Sequence, residues 1–355
     1  MRCRCSILGC RETIKQLEEC FRNPRQVLCS VSCGACTVHR RCLRSPCRAT
    51  LRGEFTYLSA LAFAGWRHSS ANGCVFSMTQ RSGNYPIELR VGEVERLRIQ
   101  AAAMAFDAGV MLDRISVQPG WHCLDLGCGA GGVVDLLSAR VGATGRVVGL
   151  DADPSLLSAA RKWAEMLGLA NVEFVAADAY RTGLPREAFD LVHVRFLAGT
   201  AGQVDDLLCE ALALVKPGGI LAFQEADVST WNCYPAHPAW DRLKKALEEG
   251  FASAGGDLHL GQRLYRLLRH CGLENVRYRP FLVGVTREDP MTDILPATIE
   301  SIRKTLLANH LIDAAELETT LTDCRQHLAD PDTVFTTCLV AQVWGRKVTE
   351  PGGIT

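Results

Sequence analysis

From residue 92 onward the apolar positions follow two alternating rhythms. Val94, Leu97, Ala101, Met104, Ala105, Ala108 and Leu112 recur at helical spacing, which predicts a helix over 92–115. Pro119-Gly120 then turns the chain into a short apolar run at 123–126, which breaks into the glycine cluster 127–132. Val133, Val134, Leu136 and Leu137 suit one buried face of a helix reaching about residue 139. The same alternation continues with strands at 146–150, 172–176, 189–194 and 220–224, and helices at 155–167 and 204–215. Lys216-Pro-Gly-Gly219 reads as the stop after the second of these helices. A helix at 261–270, a strand at 276–285, helices at 293–309 and 313–328, and a last strand at 333–344 complete the pattern. Short apolar strands alternating with helices predict an α/β fold, with a parallel sheet covered by helices on both faces. In such sheets ligands bind beyond the carboxyl ends of the strands, where Asp125, Asp151 and Asp178 all fall.

Charge and cysteine divide the chain near residue 78. Residues 1–77 hold eleven Arg and one Lys against four Glu, so a net charge of zero over 355 residues leaves the remainder acidic by eight charges. An acidic body argues against nucleic acid as a partner, because that affinity comes largely from Lys and Arg. No apolar run reaches the roughly 18 residues that span a bilayer. Ten of the 17 cysteines precede residue 78; the rest are scattered singly, as buried thiols in a reducing cytoplasm are. Cys33-x-x-Cys36, with Cys29, Cys42, Cys47 and His39, has donors for zinc but lacks the usual paired spacing, and no metal site is expected. Residues 1–77 are read as a Cys/Arg-rich segment that is disordered or precedes the true start at Met78, with the functional domain at 78–350.

Gly127-x-Gly129-x-x-Gly132 satisfies the dinucleotide fingerprint, a weak match alone. Asp125, just ahead of the loop, would repel a pyrophosphate and attract an ammonium group. A glycine turn opening a helix also offers backbone N–H groups to an amino-acid carboxylate. The acids at three successive strand ends suit a ligand that carries a cation, a ribose diol and an exocyclic amine.

The stretch 121–227 resembles the class I S-adenosylmethionine-dependent methyltransferases, in the subgroup similar to the ubiquinone/menaquinone biosynthesis enzymes. The residues that carry the likeness are Leu124-Asp-Leu-Gly-Cys-Gly-Ala-Gly-Gly132, Val148-Gly-Leu-Asp-Ala-Asp153, Phe174-Val-Ala-Ala-Asp-Ala179, Leu184-Pro185, Phe189-Asp-Leu-Val-His-Val-Arg195 and Leu214-Val-Lys-Pro-Gly-Gly219. The resemblance implies a Rossmann-like seven-stranded sheet, mostly parallel with an antiparallel last strand, and S-adenosylmethionine as cofactor. It implies that Asp125 and the backbone at Gly127 and Gly129 hold the methionine part, and that Asp151, beside Ala152, accepts from the ribose hydroxyls. It further implies that Asp178 and Ala179 bind adenine, that Arg195 lines the methionine and substrate side, and that Gln100 closes over the cofactor.

Methyl transfer from a sulfonium is an in-line displacement that asks the protein mainly for alignment and exclusion of water. The catalytic candidates are His193, Arg195 and His237, with Glu225 and Asp227 as further bases near strand ends; a core role is the stronger reading of His193. Trp231, Tyr234, His237, Pro238 and Trp240 make 228–258 a lid insertion suited to an aromatic or apolar small molecule, and 286–332 is a second lid wall. The expected enzyme is cytoplasmic, uses no metal, binds no nucleic acid and spans no membrane; a homodimer is allowed. The competing readings are a non-catalytic methyltransferase-like binding domain and, behind it, a nicotinamide oxidoreductase.

Overall fold

The computed structural model describes residues 85–88 and 92–348, together with the backbone of two strands at 28–33 and 36–41. The chain divides into two units, Met1–Ser70 and Ala71–Thr355. In the first, β1 (Leu28–Cys33) and β2 (Cys36–Arg41) pair antiparallel, with Cys33 opposite Cys36. The other expectations for residues 1–77, disorder and a later start included, lie outside the described residues.

The second unit is built on a seven-stranded sheet. Its strands are β3 (His122–Leu126), β4 (Arg146–Asp151), β5 (Val172–Ala176), β6 (Phe189–Arg195), β7 (Val215–Asp227), β9 (Glu274–Phe281) and β12 (Leu339–Arg346), in the order β5-β4-β3-β6-β7-β12-β9. The first five run parallel, and β12 runs antiparallel to both neighbours. The order reverses at β3, which places the topological switch point at the glycine cluster.

Side chains alternate along each strand, so two cores form. Leu124, Leu126, Val192, Val194, Leu221 and Phe223 face one side, under α5 (Val204–Leu214) and α7 (Gly261–His270). Cys123, Val147, Leu191, Ile220 and Ala222 face the other, under α1 (Glu93–Ile115), α2 (Val134–Val141) and α3 (Pro154–Met166). Asp125 shares this second face. Asp153 caps α3 by accepting from Ser155 N and Leu156 N.

Four expected elements differ. Lys216-Pro-Gly-Gly219 does not end a helix before a separate strand. It sits inside β7, where the pairing with β6 jumps from Phe189↔Val215 to Leu191↔Ile220. The runs at 276–285 and 333–344 each split between two sheets. β10 (Gly284–Val285) and β11 (Val334–Thr336) leave the main sheet and join β8 (Asn232–Tyr234) in a three-stranded antiparallel sheet. The helical run at 293–309 breaks at Ile302 into α8 (Ile294–Ser301) and α9 (Arg303–Ala308). The segments after β7 and after β9 pack together around a core of their own, in which Trp240, Leu243 and Leu247 of α6 (Pro238–Ser253) meet Leu295, Ile299 and Leu321, the last from α10 (Ala314–Leu328).

Candidate active site

The carboxyl ends of the parallel strands open into one cavity of about 1240 Å³. All nine residues read as cofactor-binding line it: Gln100, Asp125, Gly127, Gly129, Asp151, Ala152, Asp178, Ala179 and Arg195. Chain topology explains why. Asp125 is the penultimate residue of β3, Asp151 and Arg195 are the last of β4 and β6, and Asp178 lies two residues past β5.

Asp125 is only 2% exposed. Its Oδ2 accepts from Val133 N at 3.1 Å, capping the start of α2 from outside the helix, and its Oδ1 meets His193 Nδ1 at 2.7 Å. Gly132 sits against this carboxylate with φ +48°, and a Cβ there would come within 2.1 Å of Asp125 Oδ2. Gly127, at φ +79°, is covered by Leu197, whose Cδ2 would lie 2.8 Å from an added Cβ. Both positions therefore demand glycine on two counts, handedness and space.

The expectation of a row of backbone donors for an anion needs correction. The Gly127 and Cys128 N–H groups donate to Leu150 O, Gly131 N–H to Cys128 O, and Gly129 N–H to Asp151 Oδ2 at 2.8 Å. With Val133 N–H held by Asp125, most of the loop's donors are already used inside the protein. Arg195 is a cation beside the loop, with Arg96 and Arg98 also on the cavity wall. Arg195 Nη2 donates to Gly132 O at 3.2 Å, while its buried Nη1 meets no acceptor among the described residues. Burial pulls the Arg195 guanidinium below its ordinary pKa, against the attraction of Asp125 and Asp135.

Asp151 also accepts from Asp153 N at 3.0 Å. Burial pushes its carboxyl up, against the pull of the two N–H donors. Asp178 Oδ1 accepts from Tyr180 N, which shapes the turn below Ala179.

The structure does not bring His193 and His237 to the cavity. His193 is fully buried within β6, with both ring nitrogens engaged. His237 is the N-cap of α6, where its Nδ1 accepts from Ala239 N and its ring stacks on His327. Glu225 accepts from the N–H groups of Leu197, Ala198 and Gly199 and lies behind the wall. Asp227 Oδ1 accepts from Ser229 and Gln262 and meets His259 Nδ1 at 3.2 Å. Burial raises its pKa, and these bonds outweigh that, leaving the carboxyl below its ordinary range. Of the catalytic candidates, only Arg195 faces the cavity.

The far half of the cavity is apolar, walled by Val228, Trp231, Leu247, Phe251, Met291 and Ile294. Trp231 is 6% exposed, and no acceptor among the described residues reaches its Nε1. Sequence reading missed the roof. Beside the expected Gln100, Glu93 and Arg96 line the cavity from α1, and the 93-96-100 spacing could have shown that stripe. It also missed Phe196, held at φ +53° just past β6, and Leu197.

A doubly wound sheet with a glycine loop at its switch point and acids at three successive strand ends defines a protein that binds a nucleoside-containing cofactor. Residues 118–272 match the family described as "Methyltransferase domain". Over 124 residues, 35% of this chain, it is 31% identical to the probable cobalt-precorrin-6B C(15)-methyltransferase (decarboxylating) of Thermoplasma volcanium, and it spans 60% of that protein's length. Over 183 residues, 48% of this chain, it is 28% identical to the demethylmenaquinone methyltransferase of Bacillus cereus, spanning 77% of that protein. A solved SAM-dependent methyltransferase from Aquifex aeolicus aligns with 74% of this chain and 100% of its own at 16% identity, with a TM-score of 0.44. Residues 118–272 thus form a methyltransferase domain, similar to the class I enzymes whose cofactor is S-adenosylmethionine. The residues present fit that cofactor. Arg195, whose buried Nη1 meets no acceptor among the described residues, lines the same cavity as three carboxylates at successive strand ends. Among the described residues, no group of His, Cys, Asp and Glu could hold a metal ion, and no helix is long and apolar enough to cross a membrane.

Proposed function

We propose that this enzyme methylates a small apolar or aromatic molecule that carries a hydrogen-bond acceptor. The carrying observation is the continuity and size of the cavity. At about 1240 Å³ it exceeds the roughly 300–1,000 Å³ of a typical single-ligand pocket. One end is polar and glycine-rich and the other is apolar, so two different ligands can meet inside it.

At the polar end, Arg195 takes the carboxylate of the cofactor's methionine part, while Asp125 and the carbonyls of the Gly127–Gly129 turn attract its ammonium group. Asp151 accepts from the ribose hydroxyls, with Ala152 beside it, and Asp178 with Ala179 receives adenine. Gln100, above the turn, closes over them. When bound, S-adenosylmethionine supplies an electrophilic methyl group on a sulfonium. The chain's part is to aim the acceptor and exclude water. Trp231 Nε1–H donates to an oxygen or nitrogen of the acceptor and sets its orientation; Phe251, Met291 and Ile294 pack its apolar body. Segments 228–258 and 286–332 act as the lid over this half, and their separate core leaves them able to open without disturbing the sheet. With His193, His237, Glu225 and Asp227 away from the cavity, an acceptor that is already nucleophilic suits the site better than one that needs a protein base. The small-molecule relatives point the same way, and the acidic body disfavours nucleic acid.

Calorimetry of the full chain with S-adenosylhomocysteine tests the cofactor site. Binding is expected, with Asp151→Ala weakening it by roughly two orders of magnitude through the loss of charged hydrogen bonds. Binding to NAD instead, or an affinity indifferent to Asp151→Ala, would overturn the assignment. A methyl-transfer screen over quinols, phenols and small amines tests the acceptor class; turnover confined to charged polar acceptors would exclude it.

A further inference from the structure

A file of polar side chains crosses the sheet beneath α1, where the neighbouring positions on the same face are apolar. Arg279 on β9 donates from Nη1 to Gln342 Oε1 at 2.8 Å. Gln342 on β12 donates from Nε2 to Gln224 Oε1 at 2.9 Å. Gln224 on β7 places its Nε2 2.8 Å from His193 Nε2, and His193 on β6 places Nδ1 2.7 Å from Asp125 Oδ1 on β3. His193, Gln224 and Gln342 are all 0% exposed. Arg279 is anchored in turn by Asp107 of α1, whose backbone carbonyl also accepts from Gln342 Nε2 at 3.0 Å.

The direction of every bond follows from its ends. A guanidinium can only donate, so Gln342 must turn its oxygen to Arg279 and its amide nitrogen onward. Gln224 must then offer oxygen to Gln342 and nitrogen to His193. His193 Nε2 accepts, which puts the ring proton on Nδ1, aimed at Asp125. A one-way chain of this kind polarises each bond in the same sense.

We infer that Arg279, Gln342, Gln224 and His193 form a one-way hydrogen-bond relay that positions the Asp125 carboxylate, and through it the glycine loop, for the cofactor. The inference rests on the cofactor site proposed above. Asp125 uses one oxygen for the relay and the other for Val133 N, so the carboxylate plane is held between the sheet and the start of α2. Gly132 packs directly on that carboxylate, so a rotated Asp125 would displace the loop. Apolar side chains of similar size would fill this sheet at less desolvation cost. The polar file is accounted for by its terminus, a buried carboxylate at the cavity wall that needs a donor of fixed direction. Arg279 is thereby a positioning residue several strands from the ligand.

The test uses the full chain labelled with ¹⁵N-histidine, with the His193 signals assigned by their loss in His193→Gln. The expected spectrum has His193 protonated at Nδ1 and unprotonated at Nε2; a proton on Nε2 overturns the relay's direction. In Gln224→Glu the new carboxylate can only accept, so Nε2 is expected to gain a proton, and an unchanged ring would again overturn it. Calorimetry with S-adenosylhomocysteine should show roughly tenfold weaker binding for Arg279→Met and for Gln224→Glu, with the circular dichroism unchanged. Wild-type affinity in both variants overturns the positioning role alone. Failure of the wild-type chain to bind overturns the cofactor site on which the inference rests.

Discussion

Glu93→Gln tests whether the roof of the cavity is held by one buried ion pair. Arg96 grips Glu93 through two bonds, Nε to Oε2 at 3.0 Å and Nη2 to Oε1 at 2.6 Å, and the two residues are 8% and 2% exposed. Ser301 Oγ donates to Glu93 Oε2 at 2.7 Å, and Arg96 Nη1 lies 3.4 Å from Thr298 Oγ1, so the pair ties α1 to α8. Both members also line the cavity. Replacing Glu93 by Gln keeps the shape but leaves the Arg96 charge buried without its partner, which costs about 3–5 kcal/mol. A surface pair of the same geometry would cost under about 1 kcal/mol. Urea denaturation, followed with a thermal midpoint expected to fall by on the order of 10 °C, distinguishes the two. The double variant Glu93→Gln with Arg96→Met should recover much of the loss, because it removes the orphaned charge. S-adenosylhomocysteine affinity should fall in the single variant, since α1 carries Gln100. A destabilisation below about 1 kcal/mol, or a double variant no better than the single, would refute the reasoning.

Three further outcomes follow. Gly132→Ala must place a side chain at φ +48° and 2.1 Å from Asp125 Oδ2, so S-adenosylhomocysteine binding is expected to fall at least roughly tenfold; wild-type affinity would refute the packing. Burial pushes the Glu225 carboxyl up to about 8 from an ordinary 4.5, against three N–H donors. The folded chain therefore keeps a proton that the unfolded chain loses, and stability should fall as pH rises across that window, with Glu225→Gln flattening the slope in denaturant titrations; a stability that rises over the same range would refute it. Trp231→Phe keeps the ring and loses the N–H, so the KM for an acceptor found in the screen should rise roughly threefold to tenfold, with cofactor affinity unchanged; an unaltered KM would remove Trp231 from acceptor recognition.

Much of this protein was legible because its information is local. Short apolar runs alternating with 3.6-residue stripes specify a parallel sheet. Once the strands are parallel, every strand's carboxyl end lies at one edge, so Asp125, Asp151 and Asp178 converge however far apart they are in sequence. The glycine cluster likewise announces a turn that only glycine can make. Tertiary structure decided the rest through partners that no spacing reveals. His193 stood as a candidate base until β3 and β7 closed on both its nitrogens. His237 became a helix cap stacked on His327. The loop's N–H groups, open donors on paper, were taken by Leu150 and by Asp125 and Asp151 themselves. The runs at 276–285 and 333–344 each read as one strand, yet they divide between two sheets, since strand identity depends on which edge is there to pair with. Leu97, Ala101 and Ala105 belong to an apolar stripe but are only partly buried, because that stretch of α1 roofs a cavity. The sequence by itself determined the fold class and the row of acids at the strand ends. Which polar groups remain free to do chemistry was decided only by packing, because a donor or acceptor is available only when no neighbour has already taken it.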